Sequence, residues 1–138
     1  MPSPELVAAV KSIMGNARGG DLPAAYAGYA ELFSAPIFAS SEPNERRQVL
    51  RLMVHAKGVP DPPTPPMVEA HRAALGHLTA LVEQNGDPAD HEMLGMCYVA
   101  IGDEKKAGEI FRAALAIERE RNAQSDLCGA LMKRVSML

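Results

Sequence analysis

The sequence predicts an all-α fold built from antiparallel helical hairpins. Only 4% of its 138 residues are aromatic, none of them tryptophan, and such a composition favours helices over strands. Apolar residues recur at spacings of three and four along most of the chain, and glycine or proline separates these stretches. About seven helices in a single domain, residues 1–138, are therefore expected.

The bulk composition sets limits on partners and location. Hydrophobic residues make up 47% of the chain and charged residues 22%, which is typical of a folded globular protein. A net charge of -3 lacks the basic excess of a nucleic-acid binder, so no nucleic-acid partner is expected. The N-terminal sequence lacks the pattern of a signal peptide, and no apolar run approaches membrane-spanning length. A cytoplasmic protein without membrane contact is expected.

The first two helices are predicted to form a tight hairpin. Residues 4–17 place an apolar stripe on one helical face behind a Ser-Pro start. Gly19 and Gly20 end that helix, and Asp21 is a suitable N-cap for a second helix over residues 22–33. This spacing indicates two antiparallel neighbours.

The middle of the chain contains the most biased segment. Residues 35–42 are predicted to form a loop that turns Ile37 and Phe38 inward, before a third helix over residues 45–58. Residues 59–66 contain five prolines and are predicted to be an extended connector, either a stiff spacer or a ligand for an aromatic-lined groove. A fourth helix is predicted from about Met67 to Gln84, ending at Asn85-Gly86.

Three further helices are predicted in the last third of the chain. Asp87 is positioned to cap a helix that has Pro88 at its first turn and continues to a break at Gly102-Asp103. Residues 104–122 are predicted to form its antiparallel partner, and residues 125–138 a final capping helix.

Residues 88–119 resemble one unit of the tetratricopeptide repeat family. The family's spaced pattern of small, aromatic and turn residues is met by Leu94, Gly95, Tyr98, Gly102, Ala107, Phe111 and Ala114, with His91 where the family usually has tryptophan. A fainter form of the pattern occurs in the first hairpin, at Gly20, Asp21, Ala25 and Tyr29. The resemblance implies a short, degenerate right-handed α-solenoid. In it, Gly95 and Ala107 would let two helices approach closely.

The resemblance also implies where a partner binds. First helices of such repeats line a concave groove for a peptide or a partner helix, and the corresponding residues here are Ala89, Glu92, Met96, Val99 and Ala100. This lining is largely apolar, and it has Glu92 and Met96 where members that clamp a carboxylate tail have Lys, Asn and Arg. A hydrophobic protein segment is therefore expected, bound by a non-catalytic chaperone or scaffold module. For the methionines themselves core packing is the favoured role, and lining the groove is the alternative.

Other readings of the sequence remain as alternatives. The alternative function is self-association as a homo-oligomer through the apolar face of the first or last helix. A small enzyme or metal protein is less favoured: the four histidines lack metal-ligand spacing and are expected on polar helix surfaces, and Asp87, Asp90 and Glu92 are explained by a helix start. No catalytic residue, metal or cofactor is predicted. Cys97 and Cys128 are read as reduced, buried residues, with a disulfide as the alternative.

Overall fold

Eight α-helices and no strand make up the part of the protein that the computed structural model describes, residues 3–138. Met1 and Pro2, the first residues of the predicted domain, lie outside that range. The all-α prediction is confirmed. In chain order the helices are α1 (Pro4–Arg18), α2 (Leu22–Phe33), α3 (Pro36–Ala39), α4 (Pro43–Val54), α5 (Pro65–Asn85), α6 (Pro88–Ala100), α7 (Glu104–Asn122) and α8 (Asp126–Ser136).

Prolines and side-chain caps fix where most helices begin. Asp21 and Asp87, both predicted as N-caps, accept hydrogen bonds from the backbone N–H groups of Ala24 and Ala89 at 3.1 and 2.9 Å. Proline stands in the first turn of each helix from α1 to α6, where its missing N–H has no helical partner to lose. These local signals explain why the predicted bounds of α2 and α7 agree with the structure.

Three segments differ from the prediction. Helix α4, predicted to continue to a stop at Gly58, ends at Val54. The predicted loop 35–42 contains the short helix α3, which raises the number of helices from seven to eight and buries Phe38 as expected. The predicted connector 59–66 is shorter than expected, because α5 begins at Pro65. Proline interrupts a helix interior but fits its first turn, so the last two prolines of the connector belong to the helix.

Two hairpins are closed by the same turn. In the α1–α2 and α6–α7 turns, Gly20 and Gly102 adopt left-handed φ angles of +84° and +90°, which a side chain would disfavour. The aspartate that follows each glycine caps the next helix and donates its own N–H to the carbonyl five residues before it, at 2.9 Å in both turns. The similarity predicted between the two hairpins is therefore present in their turn geometry.

Both hairpins also contain one glycine that permits close helix contact, but on opposite helices. A Cβ atom on Gly95 of α6 would lie 2.4 Å from the ring of Phe111 on α7. A Cβ atom on Gly28 of α2 would lie 2.7 Å from the side chain of Ile13 on α1. Ile13 and Gly95 each stand seven residues before the turn glycine, so the large and small partners are exchanged between the hairpins.

Helix α6 joins two parts of the apolar core. It packs most extensively against α7 and α5, while α2 packs against α5 and α1, and α8 covers α7. Residues of α1 to α6 form one cluster, and residues of α7 and α8 form a second one. Met96 and Tyr98 of α6 contact both clusters. The helix of the predicted repeat is therefore the element through which the two clusters connect.

Two histidines predicted on polar surfaces are instead part of the interior. His71 is buried in α5, and its Nδ1 lies 2.7 Å from the carbonyl of Met67. His77 places Nε2 2.6 Å from the carbonyl of Phe33 and its ring edge-on to Phe38. Burial lowers the pKa of His71, an effect that the hydrogen bond to the carbonyl of Met67 partly offsets. Both rings pack in the interior and hydrogen-bond to a backbone carbonyl, which explains their presence on apolar faces.

The cysteines are buried, as predicted. Cys97 and Cys128 both have free thiols within the described residues. Burial raises the pKa of Cys97 to about 12, so its thiol is protonated and a poor nucleophile at neutral pH.

Candidate functional site

The five residues predicted to line a groove lie on α6 but differ widely in exposure. Val99 is 41% exposed, Ala89 and Met96 are half-buried, and Glu92 and Ala100 are buried. Met96 packs against both core clusters, so much of its surface is used in the interior. The structure thus differs from the predicted lining at Glu92 and Ala100, which neighbouring side chains cover.

The carboxylate of Glu92 joins three helices. Arg134 of α8 donates its Nε–H to Oε2 at 2.7 Å. Nε2 of His55, the residue that follows α4, lies 3.7 Å from Oε1. Glu92 is only 6% exposed, and the hydrogen bond from Arg134 offsets the cost of burying its charge. Side chains from α8 and from the end of α4 therefore meet at one carboxylate of α6.

Arg134 is held from two directions. Besides its bond to Glu92, its guanidinium carbon lies 6.0 Å from the centre of the Phe111 ring, a distance compatible with a cation–π contact. Phe111 belongs to α7, so Arg134 ties α8 to both helices of the preceding hairpin. These two contacts fix the position of α8 against the α6–α7 hairpin.

A shallow depression opens on α4 beside this cluster. It has a volume of about 430 Å³ and is lined by Gln48, Arg51, Leu52 and His55. Leu52, at 43% exposure, is one of the large apolar side chains that stay exposed to solvent, and it is the one that lines this depression. Val99 follows Glu92 on α6 by two helical turns and so lies on the same face of that helix. We call the surface formed by Arg51, Leu52, His55, Val99 and Arg134 the α4–α6–α8 face.

Positive groups surround Glu92 on this face. Burial is the largest cause that lowers the pKa of His55; Glu92 opposes it, while the charges of Arg134 and Arg51 lower the pKa further. His55 is therefore largely neutral at neutral pH. The two arginines then provide two fixed positive charges against the single negative charge of Glu92.

A second, polar cleft lies at one end of the bundle, near the starts of α4 and α6. Its volume is about 620 Å³, and it is lined by Glu42, Pro43, Asn44, Arg47, Gln84, Asn85, Asp87 and Arg121. At its base Asp90 is fully buried and receives two hydrogen bonds from Arg47, at 2.7 and 2.9 Å. Arg47 also bonds Asn44 at 2.6 Å. The guanidinium of Arg47 is therefore already hydrogen-bonded on both sides. The Arg47–Asp90 pair at this cleft is better explained as a structural link between α4 and α6 than as a ligand site.

The described residues contain neither a metal-binding cluster nor a membrane-spanning helix. Within residues 3–138, no group of three histidine, cysteine, aspartate or glutamate side chains is arranged to hold a metal ion. None of the helices described there combines the length and the apolar character that crossing a bilayer requires.

Comparison with known proteins gave no relative: no protein-family model, no curated protein and no solved structure matches the chain. The candidate site therefore depends on the contacts of this chain alone.

Sequence reasoning missed most of the α4–α6–α8 face. One signal was present: the apolar stripe of α4 consists of Val49, Leu50, Met53 and Val54, and Leu52 falls outside it. The contacts of Glu92 were not visible, because His55 and Arg134 are 37 and 42 residues away in sequence.

Proposed function

We propose that this protein is a non-catalytic binding module that captures an amphipathic protein segment on the α4–α6–α8 face. The observation that carries the proposal is the exposure of Leu52 in the depression on α4, together with that of Val99 on the face of α6 that carries Glu92. Exposed apolar residues with a polar rim are typical of interaction sites.

The hairpin geometry supports a repeat-like arrangement. The shared Gly-Asp turns and the close Gly95–Phe111 contact are what a tetratricopeptide-like stack requires. In such a stack α4, α6 and α8 would be the first helices of successive units; α4 departs from this arrangement, because α5 packs mainly against α2 and α6 and little against α4. The contacts of Glu92 with residues of the other two helices are consistent with that role.

The shape of the face favours a protein segment over a small molecule. The depression is open and shallow, whereas pockets for small ligands enclose most of the ligand surface. An amphipathic helix could place two apolar side chains one or two turns apart against Leu52 and Val99. Chaperone and scaffold proteins both use contacts of this kind.

Self-association is a second candidate, favoured by one observation at the end of the chain. Met132, Met137 and Leu138 are all exposed near the end of α8. On α1, by contrast, Val7 is the large apolar residue left exposed within the described residues. A molecular mass that rises with concentration in light scattering would favour this candidate, and a constant monomer mass would exclude it.

A peptide selection tests the proposed face. Peptides selected on the wild-type protein from a random displayed library are expected to bind Leu52→Glu at least about tenfold more weakly, because a buried charge would replace an apolar anchor. The matched control is Val7→Glu on α1, which alters an apolar residue of 36% exposure away from this face. Equal binding to wild type and Leu52→Glu would contradict the proposal. Circular dichroism verifies that both variants are folded.

A further inference from the structure

The charge on the α4–α6–α8 face specifies the partner more closely than its apolar residues do. Glu92 is buried and already engaged by Arg134 and His55. Arg51 is exposed, lines the depression and has no ion pair among residues 3–138. Its charge is therefore available to a ligand.

The segments that flank the depression contain no acidic residue. Residues 46–58 include Arg51 and Lys57 but neither aspartate nor glutamate, and residues 127–138 include Lys133 and Arg134 without an acid. Lys57 and Lys133 are exposed. The whole chain, in contrast, carries a net charge of -3. A locally positive surface on an acidic protein indicates a ligand of opposite charge.

Arg134 retains donors for such a ligand. Within the described residues only its Nε is hydrogen-bonded, although a guanidinium carries five N–H groups. Its side chain is 31% exposed, so these groups are accessible from solvent. Arg51 and Arg134 thus provide donors on α4 and α8, on either side of α6.

We propose that the occupant is an acidic amphipathic helix, whose apolar stripe contacts Leu52 and Val99 and whose aspartate or glutamate side chains pair with Arg51 and Arg134. This inference rests on the proposed function and adds the charge of the partner. The sequence predicts a peptide or amphipathic helix bound on a largely apolar lining that includes Glu92. The structure buries Glu92 beneath Arg134 and His55, so the accessible charges on this face are positive.

Two synthetic peptides test the charge preference. Both have about 18 residues, long enough to form a helix on binding, and share one leucine stripe; the polar face is glutamate-rich in one and lysine-rich in the other. Fluorescence anisotropy at low salt is expected to give about tenfold tighter binding of the glutamate peptide, and added salt should reduce that difference.

Charge-reversal variants of the protein test whether the peptide binds on this face and not elsewhere on the surface. Arg51→Glu is expected to weaken binding of the glutamate peptide about tenfold and to strengthen binding of the lysine peptide. Lys11→Glu on α1 changes the net charge equally at an exposed site outside this face and should have little effect.

The outcomes distinguish the two proposals. Equal binding of both peptides, lost in Leu52→Glu but unchanged in Arg51→Glu, overturns the acidic-partner inference and leaves the proposed function intact. Tighter binding of the lysine peptide overturns the inference as well. Failure of both peptides to bind, or binding that is indifferent to Leu52→Glu, counts against both proposals.

Discussion

Asp90→Ala is expected to destabilise the protein by about 3–5 kcal/mol, the largest effect among the substitutions considered. The carboxylate of Asp90 is fully buried and accepts two hydrogen bonds from Arg47. Removing it leaves a largely buried guanidinium without its main partner. In the wild-type protein the hydrogen bond to Asp90 is the main cause of the raised pKa of Arg47. In the variant that cause is gone, but a guanidinium remains charged without it, so Arg47 cannot avoid the cost by losing a proton.

Urea unfolding of matched variants measures this effect. Asp126→Ala removes an exposed acid from the first turn of α8 and is expected to cost less than about 1 kcal/mol. The double variant Arg47→Met with Asp90→Leu should recover much of the loss, because apolar residues can replace a buried pair. If Asp90→Ala lowers the free energy of unfolding no more than Asp126→Ala does, the Arg47–Asp90 pair contributes little to stability.

Gly95→Ala is expected to destabilise the protein by about 2–3 kcal/mol, although alanine is the better helix former. The new Cβ atom would lie 2.4 Å from the Phe111 ring, so α6 and α7 would have to separate. Gly76→Ala in α5 is the control, because a Cβ atom there meets nothing within 4 Å. We expect Gly76→Ala to raise the free energy of unfolding by about 0.5–1 kcal/mol. Urea unfolding measures the change in both variants.

A second substitution tests the cause of the Gly95 effect. If the clash with the ring is responsible, Phe111→Leu combined with Gly95→Ala should cost less than the sum of the single changes by at least about 1 kcal/mol. Additive costs would mean that the contact between α6 and α7 is not the reason. The first hairpin shows that the same fold accepts another solution, with Ile13 packed on Gly28.

The helices could be predicted because their start and stop signals are local. Proline in the first turn, an aspartate cap and a glycine with left-handed φ all lie within a few residues of the boundary that they determine. Most differences between prediction and structure are short: α3 is one turn within a predicted loop, and α5 begins two residues early. Helical periodicity likewise identified the buried faces.

The candidate site could not be predicted because its contacts are distant in sequence. Asp90 and Glu92 had a sufficient local explanation at a helix start, so nothing in the sequence required a partner. Arg47 lies 43 residues from Asp90, and Arg134 lies 42 residues from Glu92. Only the fold, in which α4 packs on α6 and α8 covers α7, brings these charges together, and with them the positive surface.

The first hairpin shows a second limit of pattern matching. Its turn and its Ala25 and Tyr29 agree with the repeat pattern, but Ile13 stands where the pattern has glycine. The small residue is Gly28, on the other helix of the pair. A pattern of fixed positions cannot detect this contact, because the glycine that permits it stands on the second helix and not at the position that the pattern specifies.

Methyl NMR with a selected peptide is the most direct test of the binding face. We expect the methyl signals of Leu52 and Val99 to shift on titration, while the signal of Val7 on α1 stays unchanged. Shifts confined to Met132, Met137 and Leu138 would instead place the contact at the end of α8 and contradict the proposed α4–α6–α8 face.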